Sequence, residues 1–170
     1  AVETKATGKQ EGGGKTSVGA SVALAIVDTD THADIGNGAT VTGTAGDVSV
    51  SATSKTDVET TSEGASEGGG NAVTPVVAIG LIFNDTGARV GTGSTLSAGG
   101  VISVGATHDA TARSEAEGEA EGTNKTVGAS LGLTIADETV AVALMRDLSA
   151  AGGIAAVAHS TSRSRTNAKA

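Results

Sequence analysis

The chain has 170 residues, a formal net charge of -8, one aromatic residue (Phe83) and no Cys. That excludes disulfides, thiolate chemistry and aromatic platforms for stacking sugars or bases, and the acidic balance opposes contact with phosphate backbones. With 30 Ala and 26 Gly against 33 Ile, Leu, Val and Phe, any core must be built largely from small side chains, and the longest apolar run, Val76 to Phe83, is far short of the roughly 20 residues of a membrane helix.

In chain order, the sequence reads as copies of one unit, and a repeat of this length has to be recognised before any secondary structure is assigned. Residues 1–14 are read as the tail of a preceding repeat, because Val2-Glu3-Thr4 and Glu11 to Gly14 return 56 positions on as Val58-Glu59-Thr60 and Glu67 to Gly70. Repeat 1 spans 15–68. It opens on a predicted strand over 18–27 that alternates Val18, Ala20, Val22, Leu24 and Ile26 with the small residues Ser17, Gly19, Ser21, Ala23 and Ala25. The large aliphatic row is expected to point inward. The small row is expected to be either covered or a flat contact surface. The block Ala33 to Val41 follows, and then a second strand with Val48, Val50, Ala52 and Val58 on one face and Lys55, Asp57, Glu59 and Glu63 on the other.

Repeat 2 spans 69–122 and restates each block at offsets of 54 or 55: Val76 to Ile82 after Ser21 to Val27, Ala88 to Leu96 after Ala33 to Val41, and Ile102 to Thr107 after Val48 to Thr53. From Ile102 to Glu121 the alternation is almost unbroken. Ile102, Val104, Ala106, His108 and Ala110 share one face; Asp109, Arg113, Glu115, Glu117, Glu119 and Glu121 share the other. A period of two over this length predicts a long half-buried strand. Repeat 3 spans 123–170 and is degenerate and incomplete. Gly128 to Asp137 matches Gly19 to Asp28 at an offset of 109, but Ala143-Leu144-Met145 replaces the Gly-x-Gly turn, and Glu138 to Leu148 is compatible with a short helix.

These observations predict an all-β fold, a parallel β-solenoid (β-helix-like) of about three repeats at those offsets, whose coils stack in register and form a single segment over 1–170. One wide coil per repeat and two to three small coils per repeat both satisfy the period. The sustained alternation from Ile102 to Glu121 favours wide coils with long strands, because the short faces of a narrow helix could not hold it. Uncapped coils expose unpaired edges, and Arg163, Arg165 and Lys169 make the C-terminal end basic, so association with itself, end to end or laterally, is expected.

The blocks Val18 to Val27, Ala33 to Val41 and Asp47 to Ala52 resemble the repeats of filamentous-haemagglutinin-like and related giant bacterial surface adhesins. The resemblance covers nearly the whole chain. It implies a solenoid stalk exported to the cell surface or beyond, a structural or adhesive role in extracellular fibres, and contacts with host or cell-surface glycan or protein; composition and charge, as above, are what argue against nucleic-acid binding and membrane insertion. It supplies no catalytic residues. No enzyme is expected either from the residues, because His32, His108 and His159 fall at non-equivalent repeat positions with no Ser-His-Asp or His-x-x-x-His spacing.

The best candidates for a ligand are acidic. Asp28 and Asp30, then Asp85, then Asp137 and Glu138 end the apolar strand in the three copies, and stacking would gather oxygen ligands of the kind Ca²⁺ takes. That gives the alternative reading, a Ca²⁺- or glycan-binding solenoid module. The competing expectation, which the missing calcium nonapeptide favours, is that these residues cap a turn and that no cofactor is bound. A Thr40-x-Thr42 row, the kind that matches ice on flat solenoids, decays to Thr95-x-Ser97 and Asp147-x-Ser149, leaving ice binding a minor alternative.

Overall fold

The computed structural model describes residues 1–12, 14–41 and 45–170. Its elements are β1 (Val2–Gly12), β2 (Thr16–Val18), β3 (Ser21–Ile35), β4 (Val48–Gly68), β5 (Asn71–Val90), β6 (Leu96–Ala98), β7 (Ile102–Gly122), β8 (Lys125–Leu144), β9 (Leu148–Ala150) and β10 (Ile154–Lys169). The fold is all-β, with no helix among the described residues; of the span Glu138 to Leu148, read as compatible with a short helix, the part to Leu144 belongs to β8 and Leu148 opens β9. Residues with the period-two burial of a strand cannot also present one face at the helical period, and here the strand pattern wins.

The strands form two long sheets and one short one. The first sheet runs β1-β4-β7-β10; the second has β5 at its centre, with β2 and β3 on one side and β8 on the other; β6 pairs β9. Every pairing is parallel and joins equivalent residues of successive copies. Val2 lies beside Val58, Val48 beside Ile102 and Ile102 beside Ile154, separations of 56, 54 and 52, while Ser21 lies beside Val76 and Asn71 beside Lys125, separations of 55 and 54. Parallel neighbours need a crossover connection. Each copy provides it by sending the chain through the opposite sheet before returning.

The space between the sheets is graded. At one end, where β6 and β9 close the edge, the cluster Val50, Val90, Leu96, Ile102 and Val104 fills it with branched side chains. The middle holds Ala25, Val58, Ile82 and Ala112, and toward the far end lie Val76, Ala78 and Ala116, with the buried Ala72 beyond them. There the backbones nearly touch: a Cβ added to Gly19 would lie 2.1 Å from the Ala65 carbonyl oxygen. Hydroxyls fill many of the remaining buried positions, and some pair across the gap, Ser21 Oγ with Ser62 Oγ at 2.8 Å and Ser66 Oγ with Thr74 Oγ1 at 2.7 Å. Such pairing is the rule for buried hydroxyls, but Ser17 Oγ and Thr60 Oγ1 are buried without a hydrogen-bond partner.

This grading overturns the expected orientation of the first strand. Ala23 and Ala25 are 2% and 3% exposed, whereas Val22, Leu24 and Ile26 are 66%, 50% and 62% exposed. The large row faces outward and the small row forms the core. The reason is volume: opposite these positions the other sheet presents Thr60, Ser62 and Gly64, and Gly64 already stands against Val76 and Thr74 with no room for a Cβ. In the first sheet the expected sides hold, with Val50, Ala52 and Val58 buried and Lys55, Asp57 and Glu59 exposed.

Pro75 explains an interruption. It sits within the central strand β5 and lacks an N–H, and the edge strand beside it breaks at Gly19 and Ala20, between β2 and β3. At the other end of the second sheet the turns are stapled across copies. Asn37 Oδ1 accepts from the Thr92 N–H at 2.9 Å, and Gly38, at φ +72°, takes the left-handed conformation that glycine permits. Arg146 then reaches back over both earlier turns, donating to the carbonyls of Ala39 (2.7 Å), Gly36 (2.9 Å), Thr92 (3.1 Å) and Gly91. Arg146→Ala is expected to cost about 2 kcal/mol in urea unfolding, as a lost set of charge-assisted bonds does. Arg146→Lys should recover only part, because an ammonium cannot span a fork of carbonyls.

Candidate functional surfaces

Three parallel in-register strands place equivalent side chains side by side, so the outer face of the second sheet consists of rows. They run Val18, Val73, Val127; then Val22, Val77, Leu131; then Leu24, Ile79, Leu133; then Ile26, Leu81, Ile135. Between the first two rows lie Pro75 and Ala129. No charge interrupts these rows. Beyond them the same face turns acidic, with Asp28, Phe83 and Asp137 in one row and Asp30, Asp85 and Thr139 in the next.

The candidate metal ligands are therefore divided. Asp28, Asp30, Asp85 and Asp137 share the outer face around Phe83 and line a shallow open hollow. They lie within continuous strands rather than at a bend, which removes the turn-capping role expected of them. Glu138, one residue from Asp137, points the other way into the space between the sheets. Its Oε1 accepts from Ser162 Oγ at 3.1 Å and lies 3.8 Å from His108 Nε2. His108 is 1% exposed, and its Nδ1 meets the Asn84 amide nitrogen at 3.1 Å. That amide nitrogen donates, so Nδ1 is placed as its acceptor, while Nε2 is turned toward Glu138. Among the described residues no three His, Cys, Asp or Glu side chains form a group able to hold a metal.

The other histidines stand elsewhere. His32 lies on the outer face with Nε2 4.0 Å from Asp85 Oδ2, and His159 lies on β10 beside Thr161. The Thr40-x-Thr42 row falls partly outside the described residues, since Thr42 is not among them.

The outer face of the first sheet carries charge in ladders. Lys5 reaches Glu63 at 2.8 Å, Lys169 reaches Glu117 at 2.6 Å, and Arg113 bridges Glu115 at 2.7 Å and Glu59 at 3.9 Å. Hydrogen bonding to Glu63 raises the Lys5 ammonium above its ordinary value, Glu117 does the same for Lys169, and the Lys9 partner holds the Glu11 carboxyl low. These exposed pairs are weak individually. The basic strand β10 expected to dock another end thus directs much of its charge to its own neighbour β7, Arg163 lying 3.8 Å from Asp109. The shallow hollow between Lys9, Glu63, Glu117 and Glu119 is open to solvent.

Sequence reasoning missed the outward aliphatic face, the Arg146 staple and the buried His108–Glu138 contact. Comparison with protein-family models, with curated proteins and with solved structures gives no match.

Proposed function

We propose that the chain is a structural, adhesive repeat segment of a large secreted or cell-surface bacterial protein, a parallel β-solenoid with one wide coil per repeat that extends into fibres by end-to-end stacking. The observation that carries this reading is the contrast between an inner and an outer layer. Ile102, flanked by copies on both sides, is 0% exposed; Ile154, its register partner in the last layer, is 49% exposed. A layer of the same kind would cover it and satisfy the open strand edges of β8 and β10. The extracellular address and the adhesive role rest on the resemblance of the repeat blocks to surface adhesins.

In this reading the joint follows the register within the chain. Ser164 to Lys169 and Val2 to Thr7 hold equivalent places, both aligning with Val58 to Glu63 through the strands between. When β2 and β3 of one copy stack on β8 of another, Ile154 to Arg163 and the incoming β1 together complete one layer, and Ser164 to Ala170 must give way. A chain ending at Arg163 should consequently assemble further than the full chain. Light scattering and electron microscopy should show open-ended growth rising with concentration, stronger for the shortened chain. Assemblies of both chains that keep one fixed small size as concentration rises would overturn the reading.

A further inference from the structure

The uncharged aliphatic rows of the second sheet leave a surface that water disfavours. Three strands about 4.8 Å apart and about ten residues long at roughly 3.3 Å each outline some 500 Å². That is as large as the largest apolar patch on a typical monomer, and two such faces together bury on the order of 1,000 Å², the threshold for a specific interface. We propose that two copies of this chain pair through this face, with their strands antiparallel across the interface and the two-fold axis along the direction in which the copies stack.

Charge chooses this orientation. The aliphatic rows centre on Val22, Val77 and Leu131. With strands parallel, Asp28, Asp85 and Asp137 of one copy would face the same carboxylates of the other at a partly desolvated edge, which is repulsive. Turning one copy round moves each acidic end to the opposite side. On β8 the outcome is specific: Lys125 lies six residues before Leu131 and Asp137 six residues after it. A two-fold axis through Leu131 therefore brings Lys125 of each copy opposite Asp137 of the other, and both are exposed in the single chain. The ridges are in register from strand to strand, so two such faces can lie together as aligned sheets do. This pairing is lateral and closed, and it does not depend on end-to-end stacking.

At concentrations below the onset of end-to-end growth, sedimentation velocity should show a dimer for the unaltered chain and a monomer for Val77→Glu, with unchanged circular dichroism because Val77 faces outward. Lys125→Glu should weaken the dimer severalfold, and Lys125→Glu combined with Asp137→Lys should restore it. The chain has no Cys, so a single label at Asp85→Cys reports orientation. Pulsed electron resonance should give about 50 Å between the two labels in the antiparallel dimer, against about 10 Å if the strands ran parallel. A dimer that survives Val77→Glu, no rescue by the double reversal, or the short label separation would overturn the proposal. So would a monomer that instead floats with neutral phosphatidylcholine vesicles through this face.

Discussion

Ala78→Asp is expected to destabilise the folded chain by about 4 kcal/mol or more, whereas Leu24→Asp, measured where both are monomeric, should cost about 1 kcal/mol or less. Ala78 is 0% exposed in the narrow part of the core, packed with Val76 and Ala116. Burying an uncompensated charge costs far more than a surface exchange, and a domain whose whole stability is about 5–15 kcal/mol loses much of it. Leu24 is half exposed on the outer face, so its carboxylate variant stays in water. Urea midpoints for the two variants decide the matter. Equal losses would mean that the second sheet does not have the small residues inside and the large ones outside.

Gly19→Val is the second large effect, expected at about 3 kcal/mol, the upper range for overpacking. The obstacle is backbone: the Ala65 carbonyl oxygen would lie 2.1 Å and its carbon 2.8 Å from the new Cβ, and neither can rotate away. One layer below, Gly8 stands in the same relation to the Ala20 carbonyl, so the two sheets approach this closely at successive levels. Gly36→Ala is the control, because nothing lies within 4 Å of a Cβ there. Thermal unfolding followed by circular dichroism should separate the two variants clearly. A Gly19→Val chain as stable as the control would show that the sheets stand further apart than the small residues require.

Much of the architecture is readable because repetition fixes register. Once Val48, Ile102 and Ile154 are seen to occupy one place in three copies, parallel pairing between copies follows, and the charged row from Lys55 to Glu63 marks the solvent side of the first sheet. The second sheet lacks that marker. Neither row of Val18 to Val27 carries a charge, so hydrophobicity alone assigns the larger side chains inward, while the deciding quantity is the volume left by Thr60, Ser62 and Gly64 across the gap. That signal is present in the sequence, but it lies in the next long strand rather than in the one it orients. The acidic residues mislead for a different reason. The end of the apolar run at Asp28, Asp85 and Asp137 looks like the end of a strand, but the strands run through them, and an uninterrupted strand necessarily turns Asp137 outward and Glu138 inward. Arg146 leaves no trace because its partners are backbone carbonyls from two other copies, which no side-chain pattern reveals.

The central claim is that one whole copy of the repeat advances the stack by a single strand spacing. Paired spin labels at Thr53→Cys and Thr107→Cys test it directly, since both positions face outward on the first sheet and are register partners. Their backbones should lie about 4.8 Å apart, giving a strongly exchange-broadened spectrum, while labels at Thr53→Cys and His159→Cys should lie about twice as far apart. A separation of roughly 10–15 Å between positions 53 and 107, the advance produced by two or three small coils per copy, would contradict it.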